Sequence, residues 1–103
     1  MRLYVAGPMT GHPNWNHPAF HVAAFRLRAA GFTVANPADH GPGETDWFVC
    51  VRRGLRELLD VEGVATLPGW EQSRGAALEV HVACALNMPV RTVEEWIVLP
   101  GRS

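Results

Sequence analysis

Leu67-Pro68-Gly69-Trp70-Glu71-Gln72-Ser73-Arg74-Gly75-Ala76-Ala77-Leu78-Glu79 is the stretch around which the rest of the chain organises. Residues 61–67, which lead into it, form an apolar run that Pro68-Gly69 halts, and this predicts a short buried strand. Residues 70–74 read as a polar, aromatic loop. Residues 75–87 predict a helix with Ser73 as its N-cap. Between Gly75 and Leu86 only Glu79 and His81 are polar, so this helix is expected to be apolar all round and buried. A strand that turns through a loop into a helix is the first half of a parallel crossover.

The same unit recurs on both sides. Toward the N-terminus, residues 2–6 form a short apolar run stopped by Gly7-Pro8, which predicts the first strand. Residues 10–17 are a loop rich in Gly, Pro, Asn and His. Phe20, Ala23, Ala24, Leu27 and Ala30 then recur at helical spacing up to Gly31. Residues 32–35 predict a second strand closed by Asn36-Pro37, and residues 38–43 a second polar loop. Thr45 or Asp46 can cap the next helix, with Trp47, Val51, Leu55, Leu58 and Leu59 on its apolar face and Arg52, Arg53, Arg56 and Glu57 facing away. Toward the C-terminus, residues 89–93 predict a fourth strand, and the tail from Glu94 a short fifth. Strands alternating with helices imply an α/β fold, a parallel sheet of four to five strands with helices on both faces. In such sheets ligands bind beyond the carboxyl ends of the strands. The three polar loops all leave those ends, so the site is expected there.

Composition narrows the function. At 103 residues, 48% hydrophobic and 18% charged, the chain is expected to be one ordered domain, residues 1–103. A net charge of −1 gives no electrostatic footprint for nucleic acid or an anionic membrane. No apolar run reaches the roughly 18 residues of a membrane helix. All nine positive side chains are arginine and none is lysine. That excludes a Schiff-base lysine and a P-loop lysine. Cys50 and Cys84 lack any CxxC spacing and read as buried thiols in a reducing compartment, and the chain is expected to be cytoplasmic. His17 and His21 have a metal-compatible spacing but no further ligand completes a set, so no metal site is expected.

Glu79 is the residue that asks for an explanation. A carboxylate on a buried helix must be paired, hydrogen-bonded, protonated or placed in a cleft. Two readings stand at this point: a structural ion pair with an arginine, or a catalytic group. Ser73 and Gly75 at the helix start would leave N–H groups free to hold an anion. Ser73 lies roughly 9 Å from Glu79 along the axis at 1.5 Å per residue. That separation suits a sugar phosphate, with its phosphate at the helix end and its anomeric carbon at Glu79.

Three blocks, Tyr4-Val5-Ala6-Gly7-Pro8-Met9-Thr10-Gly11, Asn36-Pro37-Ala38 and the opening stretch through Glu79, resemble the nucleoside 2-deoxyribosyltransferase superfamily. The resemblance is strongest to its small phage and bacterial branch, related to deoxynucleoside 5′-monophosphate N-glycosidases, and runs from residue 2 to about residue 91. It implies a flavodoxin-like three-layer fold and cleavage or transfer at an N-glycosidic bond, with no metal or organic cofactor. The family nucleophile falls on Glu79 and the family tyrosine on Tyr4. A serine that helps hold the phosphate falls on Ser73, which favours a 5′-monophosphate over a free nucleoside. The acidic residue that serves the leaving base falls by spacing on Glu62, a glutamate where the family has aspartate. Gly7, Met9, Asn36, Gly69, Arg74 and Gly75 belong to the matching blocks and are expected around the substrate. Trp15, in the first loop, is placed to stack on the base, although packing on the core is an equal reading. Relatives build such sites near subunit interfaces, which implies a homodimer or larger.

The alternative reading is a catalytically silent module that binds a nucleotide or a protein partner, for example a phage factor in the host cytoplasm. It would keep Ser73 and the glycines and would leave Glu79 structural.

Overall fold

The computed structural model describes residues 1–40 and 46–98. Among the described residues there are four strands: β1 (Arg2–Ala6), β2 (Thr33–Ala35), β3 (Gly63–Thr66) and β4 (Val90–Thr92). Every neighbouring pair is parallel, in the order β2-β1-β3-β4. Helices α1 (His17–Ala29), α2 (Trp47–Leu58) and α3 (Arg74–Ala85) lie between the strands, and α4 (Val93–Val98) follows the last. Short 3₁₀ turns lead into α1 (Pro13–Asn16), follow β2 (Pro37–His40) and lead into α3 (Trp70–Gln72).

The alternation of side chains along the strands builds the layers. Leu3 and Val5 of β1 pack with Phe20 and Leu27 of α1 and Trp96 of α4. Tyr4 and Ala6 point to the other face, with Leu58 of α2 and Val80 and Ala83 of α3. The result is a three-layer α/β fold whose strand order is flavodoxin-like. From β1 the chain steps to one side for β2 and then crosses to the other side for β3. That reversal beside β1 is where such sheets open a crevice.

The ends of the helices follow the chemistry of their sequence. Asp46 caps α2, accepting from Phe48 N at 2.9 Å. Ser73 caps α3, accepting from Ala76 N at 3.3 Å. Gly31 leaves α1 at φ +101°, the left-handed conformation that ends helices at low cost for glycine. The alternative cap Thr45 and the end of the second loop lie outside the described residues.

Four expectations are corrected. Residues 94–98, where a fifth strand was expected to begin, are helical, and the rest of that stretch lies outside the described residues. Thr92 and Glu95 form a reciprocal capping box, Glu95 N donating to Thr92 Oγ1 at 3.1 Å and Thr92 N to Glu95 Oε1 at 2.8 Å, which starts a helix. The helix after β3 is buried on one side only: Glu79, Val80 and Ala83 are inside, while Leu78, Cys84 and Leu86 are exposed. Cys50 and Cys84 are both exposed. On α2, Trp47, Val51, Leu55 and Leu58 face inward as expected, but the inward face also takes in residues read as outward or not read at all. Gly54 and Leu58 are buried, Leu59 is exposed, and Arg53 and Glu57 are half-buried.

Candidate functional site

The site is built on one buried hydrogen bond. Tyr4 on β1 and Glu79 on α3 are 75 residues apart in sequence, and Tyr4 Oη donates to Glu79 Oε2 at 2.7 Å. Tyr4 is 1% exposed and Glu79 8%. Burial raises the Glu79 pKa to about 7, the Tyr4 hydrogen bond pulls it down, and the charge of Glu57 adds to the rise. The same burial, reinforced by the Glu79 charge, pushes the Tyr4 hydroxyl well above its ordinary range. Tyr4 therefore stays a donor, and Glu79 exchanges its proton near neutrality.

Glu79 forms part of the lining of a cavity of about 220 Å³. Tyr4, Gly7 and Met9 contribute from β1 and the loop after it. Trp47, Val51 and Gly54 contribute from α2, and Ser73, Gly75 and Ala76 from the start of α3. A mostly apolar concavity holding a few convergent polar groups is the usual form of a small-molecule site. Glycine is needed at position 7, where a Cβ would fall 2.8 Å from Leu67. That contact brings the loop after β1 against the end of β3. Trp15 reaches the cavity from an unusual backbone: Asn14, Trp15 and Asn16 have φ of 52°, 54° and 58°. Asparagine tolerates the left-handed region, whereas tryptophan is strained there. The turn is held by Asn16 Nδ2, which donates to Pro8 O at 2.9 Å, and by Trp15 N, which donates to His12 O at 3.0 Å.

Of the residues singled out from sequence, Tyr4, Gly7, Met9, Trp15, Ser73, Gly75 and Glu79 come together around this cavity. Four do not. Glu62 precedes β3 at the amino end of the sheet, where its Oε1 accepts from Arg2 N at 2.8 Å in an exposed setting. It faces a different space from Glu79, so its assignment as acid to the leaving base is withdrawn. The reason is directional: the start of β3 and the cavity lie at opposite ends of parallel strands. Asn36 is buried, but its amide closes the turn after β2, accepting from Ala38 N at 3.0 Å and meeting His21 Nδ1 at 3.2 Å. Gly69 serves a turn at φ +85° beside Pro8. Arg74 lies outside the cavity, its guanidinium 3.9 Å from the Trp47 ring centroid, a cation–π contact across the starts of α2 and α3. Trp70 packs against the second core, as an ordinary apolar residue would.

Sequence reading missed Arg53, Gly54, Glu57 and His40, all of which line the cavity. His40 Nε2 lies 2.8 Å from Glu57 Oε1. Glu57 is the second carboxylate near Glu79, close enough for its charge to raise both Glu79 and Tyr4. Arg53 carries no ion pair among the described residues. One signal was present in the sequence: a glycine inside a helix needs a reason, and Gly54 has Arg53 and Glu57 beside it on one helical face.

Residues 1–92 match the model of a family described as a domain of unknown function, DUF4406. No curated protein matches the chain. With nearly the whole length matched, the chain belongs to the DUF4406 family.

Proposed function

We propose that this member of the DUF4406 family cleaves the N-glycosidic bond of a nucleoside 5′-monophosphate or nucleoside, by hydrolysis or by transfer of the sugar to a second base. The observation that carries the reading is the buried Tyr4–Glu79 pair at a concave site, a carboxylate oriented by a fixed donor and poised to ionise near neutrality. The resemblance to the deoxyribosyltransferase superfamily supports it. In the proposed reaction ionised Glu79 forms a bond to C1′ while the C1′–N bond breaks. The electron pair of that bond stays on the base nitrogen, which takes a proton from an acid or from water. Water, or the nitrogen of a second base, then attacks C1′ and gives its proton to the conjugate base left by the first donor, and Glu79 leaves as a carboxylate. Glu57 replaces Glu62 as the candidate second carboxylate of the site, because it shares the cavity with Glu79. His40 Nε2 lies 2.8 Å from Glu57 Oε1 and lines the same cavity. Ser73 and the N–H groups at the start of α3 would take the phosphate.

The alternative is a nucleotide-binding module without turnover. The displacement of Glu62 from the site favours it, since the acidic residue the family resemblance implies is missing from the place expected. We further propose a homo-oligomer with the site near the interface, supported by the apolar outer face of α3, where Leu78 and Leu86 are exposed.

Chromatographic assay of base release tests these readings, using ribo- and deoxyribonucleoside 5′-monophosphates, the matching nucleosides, and Glu79→Gln alongside. Release that the substitution abolishes supports the glycosidase. Thermal stabilisation by a nucleotide with no release selects the binding module.

A further inference from the structure

Gly54 lies in the middle of α2, where glycine is unfavourable relative to alanine by about 1 kcal/mol. Its backbone does not need glycine, since φ there lies outside the left-handed region. What needs it is the opposite wall. A Cβ on residue 54 would fall on Glu79 Oε2 and 2.7 Å from Tyr4 Oη. Neither neighbour can move aside without loss: Tyr4 is fully enclosed, and the two atoms are bonded to each other. Gly75 faces the same cavity but is less constrained, because a Cβ there would sit at an ordinary 3.5 Å from Val51. The close approach is thus specific to the Tyr4–Glu79 bond.

The two oxygens of Glu79 are thereby made unequal. Oε2 is occupied by Tyr4 and covered by the backbone of α2. Oε1 has no hydrogen-bond partner among the described residues, and no buried side-chain oxygen there lacks one, so Oε1 opens onto the cavity.

We propose that Gly54 is a positioning residue: its missing side chain lets α2 clamp Oε2 of Glu79 against Tyr4, so that Oε1 alone is presented to the substrate. The inference rests on the reading of Glu79 as the reacting group, but its structural half can be tested without turnover. A Cβ at position 54 would push Glu79 off Tyr4 and toward solvent.

The experiment is Gly54→Ala, followed by carbon-detected NMR titration of the glutamate carboxyls, with Glu79 assigned by the signal lost in Glu79→Gln. The expected result is a Glu79 midpoint that falls from about 7 toward the ordinary carboxylate range, with kcat for base release lowered about 100-fold and KM changed little. An unchanged midpoint in the folded variant overturns the proposal. Should Gly54→Ala unfold too easily to titrate, the comparison of backgrounds decides. In Tyr4→Phe/Glu79→Ala the added methyl meets space and is expected to raise Tm, whereas in the wild type it lowers it. The same change in Tm in both backgrounds overturns the proposal. If the wild type releases no base at all, the catalytic reading of Glu79 fails while the titration still decides the clamp.

Discussion

Two glutamates mark the two ends of the sheet, and they live in different physical worlds. Glu62, at the amino end, is exposed and spends its carboxylate on the backbone N–H of Arg2. Glu79, beyond the middle of β1 on the cavity side, is 8% exposed and bonded to a tyrosine that is itself enclosed. Water surrounds the first and reaches the second only from the cavity side. The lesson is that an acidic residue placed in a motif by spacing says little until the direction of its strand is known. In open parallel sheets ligand sites gather beyond the carboxyl ends of the strands, not at the amino ends.

The sharpest way to break this contrast is to remove the charge of Glu79. The folded protein binds this proton more tightly than the unfolded chain, because the pKa is raised to about 7 from 4.5. Folding stability should therefore be fully present at low pH, fall as pH rises from about 4.5 to about 7, and stay at its lower value above that. Glu79→Gln should flatten this fall and stabilise the fold by about 3 kcal/mol at pH 8, while base release is lost. Denaturant unfolding at pH 5 and pH 8 checks it. A variant no more stable than wild type at pH 8 would put Glu79 in the same class as Glu62.

Tyr4→Phe comes next. It deletes the one group that lowers the Glu79 pKa, so the midpoint should move above 7 and stability at pH 8 drop by about 2 kcal/mol. Under the proposed function, the rise of base release with pH should shift upward in step. A pH profile that stays in place would show that the tyrosine only packs.

Ser73→Ala removes the cap of α3 and should cost about 1 kcal/mol by thermal unfolding. If a phosphate is held at this helix start, KM should rise for monophosphates and stay level for nucleosides. A uniform rise would leave Ser73 as a cap alone. The smallest effect belongs to the far end of the sheet. Glu62→Gln should change stability by less than about 0.5 kcal/mol and leave release unaffected. A large loss of release there would reverse the contrast between the two ends.

The layers were legible because strand and helix periods are written in apolar residues, and breakers such as Gly7-Pro8 and Pro68-Gly69 punctuate them. Glu79 was legible for the opposite reason, as one of two polar residues on an apolar helix. The tail was less so: six residues from Val93 fit either a strand or a helix by hydrophobicity, and the T-x-x-E capping box at Thr92–Glu95 carried the answer. The part of α2's inward face made by Arg53, Gly54 and Glu57 was illegible to a pattern of apolar side chains. Such a pattern weighs Trp47, Val51 and Leu59, and it gives no weight to an absent side chain. Yet the absence at Gly54 leaves the room that Glu79 Oε2 and Tyr4 Oη occupy against α2, and Arg53 and Glu57 on the same helix line the cavity. Glu62 misled because spacing carries no sense of direction.

The sheet has its two longest strands, β1 and β3, in the centre and its two shortest, β2 and β4, at the margins. Each margin is three residues long. A margin that short gives an incoming strand only a few rungs to climb, so it is a poor template for edge-to-edge growth into fibrils or sheet-swapped dimers. The rims of this sheet are thus poorly suited to pairing with another strand.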